Sequence, residues 1–186
     1  PLDRHKILES LNFNPSQPVL LILGGQLKYN DLLKVILGIK EKNNLTQFII
    51  IAGRDKILQK KLEDSELKKI ATVKIFGLVP DMEKFMTISD LILSKAGGST
   101  TAECLAKNLP MIVYKTIPGH EEDNVNYLVD NNAGVKVKNT REIIETVVDL
   151  FSQPDKLKKM KVNCQKIQKP NAAINIADFV ISQITC

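Results

Sequence analysis

The sequence predicts a doubly wound α/β domain: a Rossmann-like parallel sheet of about six strands with a helical C-terminal tail. Three observations predict it. Short, continuous apolar runs, which suit strands covered on both faces, alternate with amphipathic stretches along the 186 residues. Helical stretches between runs imply crossovers, and crossovers imply strands that run parallel. Each run ends in a loop holding Gly or polar residues, where ligands bind in open α/β sheets. The strand order expected for this pattern is 3-2-1-4-5-6.

The elements follow in order. Val19–Leu23 is an apolar run ending at Gly24-Gly25-Gln26. Leu32, Leu33, Ile36 and Leu37 recur at helical spacing within a helix over 31–42. The run 48–51 ends at Ala52-Gly53, and a charged helix over about 55–67 follows. Val73–Phe76 is the third run, then a short helix near 82–86 and a strand over 91–93. A loop over 94–98 leads into a helix over 100–107, a strand over 111–113 and a helix over 121–131. A last strand covers 135–137, and from Thr140 the pattern is helical to the end.

The length allows one large domain or two small ones, either with a sizeable core. Hydrophobic residues are 44% and charged residues 25%, which excludes collagen-like, mucin-like and largely disordered chains. No apolar run approaches the roughly 20 residues that cross a bilayer. The start, Pro1-Leu2-Asp3-Arg4, has no initiator Met and no signal pattern. It reads as a segment of a longer polypeptide, with a processed mature protein as the alternative.

The net charge of +5 is spread over both halves. Its one local excess is Lys156, Lys158, Lys159, Lys161, Lys166 and Lys169, broken by an apolar seam of Leu157, Met160, Cys164 and Ile167 at helical spacing. This stretch, 155–169, reads as a surface helix with a solvated face. The sharper alternative is peripheral contact with anionic lipid headgroups. Without Trp or a recognised motif, no nucleic acid partner is expected. Cys104, Cys164 and Cys186 fit no zinc spacing and read as reduced thiols of a cytoplasmic protein. His5 and His120 are the only histidines, so no metal site is expected.

Three loops carry the chemistry. Gly24-Gly25-Gln26 lets backbone approach a ligand while the next helix offers N–H groups to an anion; a bare strand-to-helix turn explains it equally. It is neither a dinucleotide fingerprint nor a Walker A sequence. In the second loop, Gly97 and Gly98 expose backbone N–H groups, and Ser99 and Thr100 add hydroxyls, a helix start suited to phosphate. Glu103 completes either a Thr100-x-x-Glu103 capping box or an acceptor for two vicinal hydroxyls, as in a ribose. The third loop runs Ile117-Pro118-Gly119-His120-Glu121-Glu122-Asp123-Asn124. Its acidic residues suit a helix dipole, which leaves His120 unexplained and sugar hydroxyls as a candidate ligand. On the rim, Arg54 suits a phosphate or plain solvent. Phe76 and Val79, around Gly77 and Leu78, would flank a flat base or belong to the core.

These blocks together resemble a known series. Phe76-Gly77 with Met82, Asp90-Leu91-Ile92, Lys95 to Thr100 with Glu103, Leu109-Pro110-Met111, and Pro118-Gly119-His120-Glu121 with Asn124 carry the likeness. The chain is similar to the C-terminal, donor-binding domain of GT-B glycosyltransferases of the MurG and monogalactosyldiacylglycerol synthase family, the diacylglycerol branch above all. The likeness runs from about Arg4 to Ser182. It implies a UDP-sugar at the strand ends and no cofactor. The uracil would lie near Phe76, Gly77, Leu78 and Val79, and the ribose on Glu103. The diphosphate would lie on Gly24, Gly25, Gln26 and Gly97 to Thr100, with Arg54 near. The hexose would meet His120, Glu121 and Asn124.

Two departures matter. The family often carries Gln where His120 stands, which leaves the hexose open. Nothing in the chain resembles the N-terminal acceptor domain, where the resemblance places the acceptor site and the catalytic base, so no catalytic residue is expected here. The resemblance implies an inverting transfer to a lipid acceptor at the inner face of the plasma membrane. A UDP-sugar epimerase of the same architecture and a non-catalytic nucleotide-binding domain are the alternatives.

Overall fold

The computed structural model describes residues 2–116 and 119–184, and of Gln26 the backbone alone. Among these residues a six-stranded parallel sheet has the order β3-β2-β1-β4-β5-β6. Its strands are β1 Val19–Leu23, β2 Gln47–Ile51, β3 Val73–Phe76, β4 Leu91–Ser94, β5 Met111–Tyr114 and β6 Gly134–Val137. The expected sheet and order are therefore observed.

Strand alternation splits the core in two. From β1, Leu20 and Ile22 face one layer while Val19 and Leu21 face the other; Phe48 and Ile50 separate from Ile49 and Ile51 in the same way. The first layer is covered by α2 (Tyr29–Lys42), α3 (Lys56–Glu63) and α7 (Thr140–Ser152). The second is covered by α1 (Arg4–Ser10), α4 (Met82–Ile88), α5 (Gly98–Ala106) and α6 (Glu122–Asp130). The seam of α8 (Pro154–Ile167) serves both, with Leu157 and Met160 in the first layer and Cys164 in the second. Every strand residue of β1 from Val19 to Ile22 is fully buried, at roughly 1.5–3 kcal/mol of transfer free energy for each such side chain.

Several expectations change. The helix drawn over 55–67 stops at Glu63, and Glu66–Lys69 forms a separate 3-10 turn. Ser65 makes the break: its hydroxyl donates to Leu62 O at 2.6 Å and accepts from Leu67 N at 3.2 Å. The helix drawn from Thr100 starts at Gly98, and the one drawn from Glu121 starts at Glu122. Helix α1 was not anticipated; Asp3 caps it by accepting from His5 N and Lys6 N. The tail resolves into α7, α8 and α9 (Ala172–Ile184), and every described residue of α9 is exposed.

The lysine-rich stretch behaves mainly as a surface helix. Lys156 pairs with Asp149 at 2.6 Å and Lys161 with Asp90 at 2.7 Å, while Lys158, Lys159, Lys166 and Lys169 are exposed. Among the described residues no helix is long and apolar enough to cross a membrane.

Candidate functional site

The two central strands, β1 and β4, are neighbours, with Leu20 beside Leu91 and Ile22 beside Leu93. Chain order reverses direction between them, and the crevice outside the carboxyl ends at such a switch point is where open α/β sheets take ligands. Two glycine-bearing loops leave the carboxyl ends of these adjacent strands, one after β1 and one after β4.

After β1, Gly24–Gln26 forms a 3-10 turn before α2. Gly24 is required by packing: a Cβ there would sit 3.1 Å from Leu58 Cδ2 and 3.3 Å from Ile51 O. Gly25 is exposed, with open space where its Cβ would project. The cleft beside this turn, roughly 580 Å³, is lined by Gly24, Gly25, Lys28, Asp55, Lys61 and Lys115 among others. These three lysines come from different elements, so no sequence motif announced them.

After β4, Gly97 is the N-cap of α5 and Gly98 its first residue; no side chain caps the helix. Thr101 N donates to Gly97 O at 2.8 Å, whereas the N–H groups of Gly98, Ser99 and Thr100 have no acceptor among the described residues. A Cβ at Gly98 would meet open space. These N–H groups and the positive end of the helix favour an anion.

The early start of α5 removes the capping box. Thr100 lies inside the helix as its third residue, not at the N-cap, and Glu103 falls beyond the first turn. The Glu103 side chain is exposed and makes no hydrogen bond or ion pair among the described residues. Helix capping therefore does not explain it.

On the third loop, Ile117 and Pro118 lie outside the described residues, and His120 is exposed. Glu121 takes the N-cap position of α6 but is only 5% exposed, with Oε1 3.0 Å from Lys95 Nζ. Asn124 Nδ2 donates to Ala96 O at 2.9 Å. The second and third loops are thus joined at two points. Lys95 was missed as a member of this cluster because its partner lies 26 positions away in sequence.

The rim is more dispersed. Arg54, after Gly53 at φ +64°, is exposed and makes no ion pair among the described residues. Phe76 is drawn into the core, its ring centroid 4.8 Å from that of Phe85, and Val79 packs on the same layer. Leu78 remains 69% exposed, and a Cβ on Gly77 would collide with the Gln59 carboxamide. The Phe76 ring is thus half-buried against Phe85, while Leu78 is the exposed apolar surface at this edge. Among the described residues no group of three or more His, Cys, Asp or Glu could hold a metal ion.

Fold and site define a Rossmann-like α/β domain with an anion-receptive helix start at its switch point. More particularly, the chain belongs to the glycosyltransferase family 28 C-terminal domain family, whose profile matches residues 19–176. It is 37% identical over 183 residues to monogalactosyldiacylglycerol synthase 3, chloroplastic, of Arabidopsis thaliana, covering 94% of this chain and 39% of that protein. It is 29% identical over 180 residues to the processive diacylglycerol beta-glucosyltransferase of Bacillus subtilis (strain 168), covering 95% of this chain and 46% of that protein. The chain thus spans less than half the length of either relative. Its fold matches the UDP-GlcNAc 2-epimerase from Neisseria meningitidis bound to UDP-GlcNAc, with a TM-score of 0.72 at 21% identity, over 96% of this chain and 49% of that one.

Proposed function

We propose that residues 1–186 form one donor-binding domain of an inverting hexosyltransferase that moves a hexose from a UDP-sugar to a lipid acceptor, diacylglycerol. The observation that carries the reading is the helix start at Gly98, where the N–H groups of Gly98, Ser99 and Thr100 follow β4, the neighbour of the strand that ends in the Gly24-Gly25 turn. The names of the relatives, both diacylglycerol-lipid glycosyltransferases or synthases, support the acceptor class.

In this reading the diphosphate lies on the Gly24-Gly25-Gln26 turn and on Gly97 to Thr100, within reach of Lys28, Lys61, Lys115 and Arg54. Glu103 accepts the ribose hydroxyls. The uracil lies along Phe76 to Val79, against Leu78 and read by backbone groups. The hexose meets His120, Glu121 and Asn124. An acceptor domain elsewhere in the polypeptide supplies the base that takes the proton from the acceptor hydroxyl. That oxygen bonds to the anomeric carbon as the bond to the β-phosphate oxygen breaks, and UDP leaves with the electron pair. The α5 N–H groups stabilise the charge that develops on the diphosphate. Exposed lysines of α8 extend the reading to peripheral contact with anionic headgroups on the cytoplasmic side of the plasma membrane.

The likeness to the epimerase is one of fold and favours no second chemistry. Calorimetry tests the first claim: UDP is expected to bind the 186-residue chain, without turnover of UDP-hexose at an enzymatic rate. No heat of binding at millimolar UDP overturns the reading. For the whole polypeptide, glycosyl transfer to diacylglycerol vesicles supplied with UDP-glucose or UDP-galactose tests the second.

A further inference from the structure

Lys95 sits between the last residue of β4 and the N-cap of α5, and its ammonium lies 3.0 Å from Glu121 Oε1 at the head of α6. The two partners are unequally exposed: the Lys95 side chain is 40% exposed and that of Glu121 6%. A carboxylate so far removed from water needs a cation or several donors close by to stay ionised. The pair lies over Gly97, whose Cβ position is 3.8 Å from Lys95 Cε and 4.0 Å from Glu121 Oε1. Asn124 Nδ2 reaches back to Ala96 O at 2.9 Å, a second tie between the same segments.

We propose that Lys95 is a positioning residue that holds the Glu121 carboxylate in place for the hexose and sets the preference for UDP-hexose over UDP. This rests on the donor-site reading above. Ionised carboxylates are strong acceptors for sugar hydroxyls, but only when their orientation is fixed before the ligand arrives. The ammonium fixes Oε1, and through Glu121 it joins the segment that meets the hexose to the helix that meets the diphosphate. Lys95 itself contacts neither the sugar nor the reacting atoms.

The test compares UDP, UDP-glucose and UDP-galactose by calorimetry in the unmodified chain, Lys95→Met, Lys95→Arg and Glu121→Gln. The unmodified chain is expected to bind one UDP-hexose more tightly than UDP. Lys95→Met is expected to cut that preference by about tenfold while UDP alone changes by no more than about twofold, the range of coupling seen between contacting charged groups. Lys95→Arg restores the preference, and Lys95→Met adds no further loss in a Glu121→Gln background. Should Lys95→Met fail to fold, Lys95→Gln carries the same expectation. Equal losses for UDP and UDP-hexose would make Lys95 a phosphate ligand and overturn the proposal. An unchanged preference, or equal binding of all three nucleotides by the unmodified chain, also overturns it while leaving the donor site standing. An unmodified chain that binds none of them overturns the donor-site reading itself.

Discussion

The carboxylate of Asp90 accepts the backbone N–H of Val19 at 3.0 Å, joining the entry of β4 to the first residue of β1. The same oxygen accepts from Arg4 Nη2 at 3.0 Å, and the other oxygen accepts from Lys161 Nζ at 2.7 Å. One side chain, 17% exposed, thereby ties α1, the two central strands and α8 together at the amino end of the sheet. The candidate site occupies the opposite end, so this cluster separates the requirements of folding from those of binding.

Asp90→Ala is expected to destabilise the chain by about 3 kcal/mol, because it removes a partly buried charge and strands its donors. Asp90→Asn keeps one acceptor and is expected to lose less. Urea unfolding measures both, and UDP affinity of the folded fraction is expected to hold. A loss of UDP affinity without a loss of stability would contradict the separation of the two ends.

Much of this architecture was legible because strand periodicity and apolar continuity are local. Val19 to Leu23 and Phe48 to Ile51 show a buried strand in any context, and a glycine pair after a strand shows a loop. Helix α1 was not legible: its seven residues bury Leu8 alone, and it is held by that side chain in the second layer and by Arg4 on Asp90, 86 positions away. The start of α5 was misread for a related reason. Thr100-x-x-Glu103 satisfies the local capping rule, but Gly97 and Gly98 let the helix begin two residues earlier. The cleft lysines and the Lys95–Glu121 pair depend on tertiary juxtaposition, which spacing does not encode.

Glu103 offers a test that separates folding from the proposed ribose contact. It is exposed and caps nothing, so Glu103→Ala is expected to change stability by less than about 0.5 kcal/mol. UDP affinity is expected to fall about tenfold or more, the range for hydrogen bonds to a charged acceptor. The unmodified chain should prefer UDP to 2′-deoxy-UDP, and Glu103→Ala should lose that preference. If the preference survives, the ribose lies elsewhere.

Gly24 and Gly98 are expected to respond in opposite ways. A methyl at Gly24 presses on Ile51 O and Leu58, so Gly24→Ala should cost about 1–3 kcal/mol by overpacking. A methyl at Gly98 meets open space in the first turn of α5, so Gly98→Ala should fold as well or slightly better. Under the proposed donor site its cost should be in UDP affinity, since the methyl would stand where the diphosphate is proposed to approach the N–H groups of α5. Thermal melts paired with UDP titrations read both; an unaffected UDP affinity in Gly98→Ala would place the diphosphate away from α5.

Cys104 and Cys164 are both fully buried, and burial shapes their acidity. Loss of solvation pushes the Cys164 thiol up to about 11 from 9.0. It raises Cys104 as well, with further increments from the neighbouring Cys164 and Glu103. Near pH 8 both should resist iodoacetamide in the folded chain and react once urea unfolds it, with peptide mapping to distinguish them from Cys186. The sign of the linkage follows from the raised values. Below about pH 8.5–9 both states hold their thiol protons and stability is unaffected. Above that the unfolded chain releases protons the folded chain retains, so stability should fall by up to about 1.4 kcal/mol per pH unit for each thiol. Cys164→Ala should flatten part of that decline up to about pH 11. Rapid alkylation of either residue in the native chain would show that the α5–α8 contact opens far more readily than its packing implies.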